Sequence, residues 1–153
     1  MDEIISGTPL YTYYICFLFQ FGIFPIMSIT FNQHLYKATF IGLMVKDWFI
    51  CQMDIAMSVH HIIGIWATYS FCNTQQISWI VSVGEFGSGV YNLYNLAKHY
   101  DLYVYPIYVG YAVIMTLTNI YCVLCIIRIS SVRWYYKIPC LALMVARQYF
   151  VYL

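Results

Sequence analysis

The sequence predicts an all-α membrane protein, built as a polytopic bundle of about six transmembrane helices around a polar cavity. Of its 153 residues, 63% are hydrophobic and only 8% are charged, whereas soluble domains average roughly 45–50% apolar and about 25% charged residues. Polar side chains nevertheless recur at seven-residue steps inside the apolar stretches, which on a helix places them on one face. We therefore expect residues 1–153 to form a single transmembrane domain whose polar faces point inward.

Helix one is expected to begin at Thr8-Pro9, because a capping hydroxyl followed by proline at the first helical position is a start signal. It runs through an aromatic-rich segment to about Thr30, with a kink at Pro25. The chain begins Met-Asp-Glu, whereas a cleavable signal peptide would begin with basic residues. We therefore expect this first apolar stretch to be retained as a membrane helix.

The apolar run at 38–72 is too long for one crossing. Its 35 residues would form a helix of about 52 Å at a rise of about 1.5 Å per residue, and the hydrocarbon core is about 30 Å thick. We divide the run near Met57 into helix two, about 38–56, and helix three, about 58–72. The polar residues 31–37 precede it as a break.

Polar turns separate the remaining apolar segments. Helix four covers about 78–98 and lies between the turns at 73–77 and 98–101. Helix five covers about 103–128, and helix six covers about 134–153.

The basic residues indicate an orientation. In a six-helix chain the first and fifth connections lie on the same side of the membrane, and they carry Lys37 and the cluster of Arg128, Arg133 and Lys137. The positive-inside rule places that side in the cytosol. Merging helices two and three gives a five-helix alternative, in which Lys37 lies on the opposite side from the cluster. Arg147 falls within helix six, where we expect its long side chain to snorkel to the interface.

Two polar stripes are the candidate functional feature. The first consists of Asp47, Asp54, His61 and Thr68, and the turn near Met57 divides it into two pairs. The second stripe follows helix four and consists of Ser78, Glu85, Asn92 and His99, with Ser82, Ser88 and Asn95 between them. An ionisable group at the centre of a membrane helix costs roughly 2.5–3.5 kcal/mol on the insertion scale. These groups are therefore expected to face protein or a wet cavity, and the two stripes to line the same one.

Acid/base chemistry is one use that such a cavity could have. A histidine can exchange a proton near neutral pH, a neighbouring carboxylate can orient it, and a histidine can also act as a nucleophile toward an acyl group. We favour His61 over its neighbour because it follows the seven-residue step. Purely structural pairing of the buried charges is the alternative. The candidate catalytic residues are His61, His60, Asp47 and Glu85, and the candidate ligand-binding residues are Asp54, Ser88, Asn92, His99 and Asn119.

Other classes of function are not indicated. The net charge is +1 with no basic run, so we expect no nucleic-acid partner. Four histidines are too few for the histidine boxes of di-iron oxygenases, and a haem held by His61 and His99 has no supporting motif, so no metal or cofactor is predicted. The six cysteines lie in apolar segments, and the C-x-x-C of Cys122 and Cys125 is interpreted as packing.

Three segments together resemble TLC-domain proteins, the membrane family that includes ceramide synthases and translocating-chain-associated proteins. FIGLMVKDWFICQMDIAMSVHHIIGIWATYSF is similar to the centre of the family, with an aspartate on one helix and a His-His pair opening the next. EFGSGVYN is similar to its glutamate and asparagine seven residues apart, here Glu85 and Asn92. LTNIYCVLCII is similar to its late asparagine-plus-aromatic helix, here Asn119 and Tyr121. The resemblance covers about residues 38–128.

The resemblance implies a bundle of membrane helices around a lipid cavity, commonly at the endoplasmic reticulum, with roles in lipid synthesis, sensing or trafficking. It is not to a typical ceramide synthase, because the place comparable to that group's downstream acidic motif reads Gly84-Glu85. We therefore expect a protein of lipid homeostasis, sensing or trafficking that binds membrane lipids. One alternative is an acyltransferase or lipid hydrolase that uses His61 with Asp47 or Glu85, with acyl-CoA as a candidate substrate. The second alternative is a small transporter or proton pathway along the stripes.

Overall fold

The computed structural model describes Ile4, Ile5 and residues 7–151, and this part of the chain is almost entirely helical. An antiparallel pair of two-residue strands, β1 at Ile4–Ile5 and β2 at Thr8–Pro9, comes first. Six helices follow: α1 at Leu10–Ile29, α2 at Gln33–Ile50, α3 at Ile55–Phe71, α4 at Gln75–His99, α5 at Val104–Arg128 and α6 at Trp134–Val151. The all-α class and the division of the run at 38–72 into two helices are thereby confirmed.

The start of α1 differs from the prediction. Pro9 occupies the N-cap position and no side chain caps the helix, because Thr8 pairs with Ile5 in the strand ladder. Inside α1, a π-helical turn at Phe19–Ile23 lies directly before Pro25, where the sequence predicts a kink. Proline has no N–H to bond one turn back, and wide turns of this kind are one way in which a helix absorbs the mismatch.

The boundary between predicted helices two and three lies at 51–54, a few residues before the predicted turn near Met57. Helix α2 begins at Gln33, where the Asn32 side chain accepts a hydrogen bond from the Leu35 N–H, and it ends at Ile50. The extended connection at 51–54 then leads to α3. Asp54 caps α3 by accepting a 2.7 Å hydrogen bond from the Met57 N–H. The expectation that Asp54 shares a face of helix two is therefore wrong, because an aspartate before a helix satisfies the otherwise unpaired N–H groups of its first turn.

The helices form a closed ring in the order α1, α2, α3, α6, α5 and α4, with α4 packed back against α1. Within the described residues, buried apolar side chains form three clusters. One joins α1 and α2 around Phe24, Tyr36 and Phe40, and the others lie where α4 meets α5 and α6. This arrangement leaves the middle of the ring available for polar side chains.

The connections at the two ends of the bundle carry charges of opposite sign. The connections α1–α2, α3–α4 and α5–α6 lie at one end, where Gln75 donates to the Ile29 carbonyl and Lys37 donates to Asn73. We call this the basic end, since it carries Lys37, Arg128, Arg133 and Lys137. The strand ladder, the connection at 51–54 and the connection at 100–103 lie at the opposite end, together with Asp54 and Asp101.

Two helices, α1 and α5, are long and apolar enough to cross a membrane, which supports membrane association. The other four described helices do not meet the same standard of length and apolar character; α3, for example, has 17 residues. Large apolar side chains are exposed along the outside of the ring, including Leu18, Phe49, Leu117 and Val145. An exterior of this kind suits a lipid environment better than water.

Candidate functional site

A half-open cavity of about 650 Å³ lies inside the helix ring. Its wall includes Thr8, Cys51 and Gln52, so it lies toward the end opposite the basic end. Both apolar and polar side chains line it. The apolar part of the wall includes Leu43, Met44, Met53, Met57, Met115 and Leu143, and the polar part includes Thr12, Gln20, Asp47, Asp54, His60, His61, Glu85, Ser88, Asn92 and Arg147.

Asp47 and His61 meet across α2 and α3 at the cavity wall. His61 Nε2 lies 3.2 Å from Asp47 Oδ2, and Lys46 Nζ lies 2.7 Å from the other carboxylate oxygen. His61 Nδ1 lies 2.8 Å from the Met57 carbonyl oxygen. Since a carbonyl can only accept, Nδ1 is the donor in this contact, and both ring nitrogens of the buried His61 are engaged by oxygen. The connection at 51–54 folds back the chain, so that two residues 14 apart in sequence come together.

Glu85 lies at the centre of a second polar group, contributed by α1, α3 and α4. Gln20 Nε2 donates to Glu85 Oε2 over 3.0 Å, and Asn92 Nδ2 donates to Gln20 Oε1 over 2.8 Å. His60 Nε2 lies 3.9 Å from Glu85 Oε1, beyond hydrogen-bond distance. His60 therefore keeps a ring nitrogen facing the cavity that is not held by a hydrogen bond, in contrast to its neighbour His61.

Arg147 is a site residue that the sequence did not predict. Its Nη2 donates to the Gly84 carbonyl at 2.7 Å and to Ser88 Oγ at 3.2 Å, and it lies 3.2 Å from Met115 Sδ. The expectation that this side chain snorkels to the interface was wrong, because α6 packs in the ring with that face turned toward α4 and α5. The only indication in the sequence was a single arginine in an apolar helix. That pattern fits an arginine at the membrane interface as well as one inside the helix ring.

Two glycines of α4 allow the polar groups to come this close. A Cβ atom at Gly87 would lie 2.5 Å from Thr118 Oγ1 and 3.2 Å from Arg147 Nη2. A Cβ atom at Gly89 would lie 2.5 Å from the Phe21 ring, next to Gln20 in the π-helical turn of α1. These two small residues therefore allow α4 to pack closely against α5, α6 and α1.

The structure brings most of the sequence-predicted site residues to the cavity. His60, His61, Asp47, Glu85, Asp54, Ser88 and Asn92 all line it. Two do not. Asn119 is buried between α5 and α6, where its Nδ2 donates to Gln148 Oε1 over 3.0 Å. His99 is exposed at the end of α4, with its ring against Tyr100.

The cysteines and the acidic groups offer little for redox or metal chemistry. All six cysteines are free, including Cys122 and Cys125. Burial, followed by the neighbouring Asp47 carboxylate, raises the pKa of the Cys51 thiol to about 11, so this thiol at the cavity wall is protonated at neutral pH. Within the described ranges, no three His, Cys, Asp or Glu side chains are grouped closely enough to hold a metal ion.

Comparison of the chain with protein-family models, with curated proteins and with solved structures finds no match among any of them. The resemblance to TLC-domain proteins therefore stays a prediction from the residues that carry it.

Proposed function

We propose that this chain is an integral membrane protein that crosses the bilayer six times and binds a lipid in the cavity of its helix ring, acting in lipid homeostasis, sensing or trafficking. The observation that carries this proposal is the cavity itself. It is half-open, it combines methionine and leucine side chains with a small set of hydrogen-bonding groups, and it lies inside helices whose outer surface is apolar. Amphiphilic ligands need both kinds of lining.

The size of the cavity suits a lipid with a single chain. Its volume of about 650 Å³ falls within the range of roughly 300–1,000 Å³ that is usual for ligand pockets. If each non-hydrogen atom takes about the volume of a water molecule, about 30 Å³, the cavity holds on the order of twenty such atoms. That corresponds to one acyl chain with a small head group.

An enzyme is the second candidate, and the observation that favours it is the presence of two histidine–carboxylate pairs at the cavity wall, His61 with Asp47 and His60 with Glu85. A membrane acyltransferase or lipid hydrolase needs a base beside a lipid-filled cavity. Both nitrogens of His61 are already bonded, however, so the residue with an available nitrogen is His60, beside Glu85. Acyl-CoA fits poorly as its substrate, because the cluster of Arg128, Arg133 and Lys137 that could attract the CoA phosphates lies at the other end of the bundle from the cavity.

The cellular location follows from the same proposal. With the basic end in the cytosol, as the positive-inside rule requires, the cavity opens toward the lumenal or outer side. The resemblance of residues 38–128 to TLC-domain proteins adds the endoplasmic reticulum as the proposed membrane.

Lipid analysis of the purified protein tests the proposal. The protein is extracted from membranes, and its bound lipids are identified by mass spectrometry beside those of two variants. Ser88→Phe fills the cavity, and Ala142→Phe adds the same ring on the exposed face of α6 as a matched control. We expect a defined lipid on the wild type and on Ala142→Phe, and its loss from Ser88→Phe. Equal lipid on all three proteins would contradict cavity binding.

The enzyme alternative is tested on the same preparations. Incubation with the bound lipid class should give no acyl adduct on the protein and no hydrolysed product if the protein only binds lipid. Product that disappears in His60→Ala, with bound lipid retained, would instead establish the enzyme.

A further inference from the structure

We propose that the lipid held in the cavity has a single chain and an anionic head group, and that Arg147 binds the head-group oxyanion. This inference rests on the proposed lipid-binding function and adds the chemical class of the ligand. It follows from the partners of the charged side chains that line the cavity.

Arg147 is a cation with neutral partners. One of its three guanidinium nitrogens, Nη2, is occupied by the Gly84 carbonyl, Ser88 and Met115. No carboxylate among Ile4, Ile5 and residues 7–151 forms an ion pair with Arg147. Guanidinium groups bind carboxylate and phosphate oxygens through paired N–H groups, and Nη1 and Nε have no hydrogen-bond acceptor in the described part of the chain.

The carboxylates that line the cavity differ from Arg147, because each of them already has a hydrogen-bond donor from the protein. Asp47 is bonded by Lys46 and His61. Asp54 accepts from the N–H of Met57, and Glu85 accepts from Gln20. A cationic head group would have to compete with these donors. An oxyanion at Arg147 instead completes the one charged group of the described wall whose donors are mostly unused.

The backbone around Arg147 holds it in place for this role. The Gly84 carbonyl fixes Nη2, and the absence of side chains at Gly84 and Gly87 lets the guanidinium lie against α4. Since the room in the cavity is on the order of twenty non-hydrogen atoms, the ligand that fits is a single-chain amphiphile, with either a carboxylate or a phosphate as its oxyanion.

Four amphiphiles with the same sixteen-carbon chain separate the possibilities: hexadecanoate, hexadecyl phosphate, hexadecylamine and hexadecanol. Each is radiolabelled and bound to the full chain in nanodiscs, with empty nanodiscs as the measure of partition into lipid. We expect hexadecanoate or hexadecyl phosphate to bind at least about tenfold more tightly than the amine or the alcohol. The tighter of the two anions identifies the oxyanion.

Variants assign the effect to Arg147. Arg147→Gln should weaken binding of the preferred anion about tenfold and leave binding of hexadecanol unchanged, and Arg147→Lys should fall between. Arg128→Gln, which makes the same charge change at the exposed basic end, is the matched control and should bind as the wild type does. Glu85→Gln should keep or strengthen anion binding, because it removes a negative charge beside the site.

Two other results have distinct meanings. Preference for hexadecylamine, weakened by Glu85→Gln and not by Arg147→Gln, would overturn the anionic head group and leave lipid binding intact. Retention of none of the four amphiphiles above empty nanodiscs would overturn the single-chain ligand, and with no co-purifying lipid on the wild type it would overturn the proposed function as well.

Discussion

Gln20 on α1 donates a 3.0 Å hydrogen bond to Glu85 on α4, and both side chains are about 95% buried. Through its other amide atom Gln20 also accepts from Asn92, so one side chain ties two turns of α4 to α1. This contact lies in the cavity wall and joins the π-helical turn of α1 to the polar face of α4. The same contact therefore holds α1 against α4 and positions Glu85 at the cavity.

The first prediction concerns this contact. Gln20→Leu leaves the Glu85 carboxylate and the Asn92 amide without their partner, and stranding a buried polar group costs about 1–3 kcal/mol. We expect unfolding in mixed detergent and urea to show a loss of that size. Gln33→Leu removes an exposed amide contact to Asn73 and should change the free energy of unfolding by no more than about 0.5 kcal/mol. Equal losses in the two variants would show that the buried contact contributes no more to the free energy of unfolding than the exposed one.

The second prediction concerns Asp47 and His61. If their contact joins α2 to α3, the single changes Asp47→Asn and His61→Gln should not be additive in the free energy of unfolding. A double-mutant cycle is expected to give a coupling energy of about 0.5–3 kcal/mol. Additive effects within about 0.3 kcal/mol would mean that the two side chains do not interact.

The third prediction concerns close packing at Gly87. Gly87→Ala places a methyl group against Thr118 and beside Arg147, and overpacking of this kind costs about 1–3 kcal/mol. Thermal unfolding should show the loss. At Gly110 a Cβ atom would meet nothing within 4 Å, so Gly110→Ala serves as the control and should be at least as stable as the wild type. A stable Gly87→Ala protein would contradict the close approach of α4 and α5.

The fourth prediction concerns the proposal that the chain crosses the bilayer six times. Single cysteines at the exposed positions Gln52, Gln76, Asp101 and Ser131, each in a cysteine-free background, can be labelled in sealed vesicles with a reagent that does not cross membranes. Positions 52 and 101 should label from one side, and positions 76 and 131 from the other. Labelling of 52 and 76 from the same side would instead mean that α3 does not cross the bilayer.

Much of the fold could be predicted from the sequence because apolar length and polar turns determine it. The division of 38–72 followed from bilayer thickness alone, but its position did not, since no glycine or proline marks the turn. Asp54 was placed on a helix because its spacing fits one; its role as a cap became visible only once the connection at 51–54 was seen. The seven-residue step paired Asp47 with Asp54 and His61 with Thr68, whereas the fold brings Asp47 and His61 together across two helices.

The remaining parts of the site depend on packing between distant segments. Gln20 lies alone in an aromatic stretch, and nothing in its neighbourhood indicates that it faces Glu85, 65 residues away. Arg147 could lie at an interface or inside the ring, and only the placement of α6 against α3 and α5 decides between them. His99 and Asn119 follow the same polar patterns as the lining residues, but the helix ends and the α5–α6 contact keep them away from the cavity.

The most direct test of lipid binding is photocrosslinking with a single-chain lipid that carries a diazirine near the end of its chain. In nanodiscs, we expect labelled peptides from 43–57 and 85–92, reduced by excess unlabelled lipid and absent in Ser88→Phe. Labelling confined to outward-facing positions outside these segments, such as Leu117 and Val145, and unaffected by competitor or by Ser88→Phe, would contradict a lipid-binding cavity.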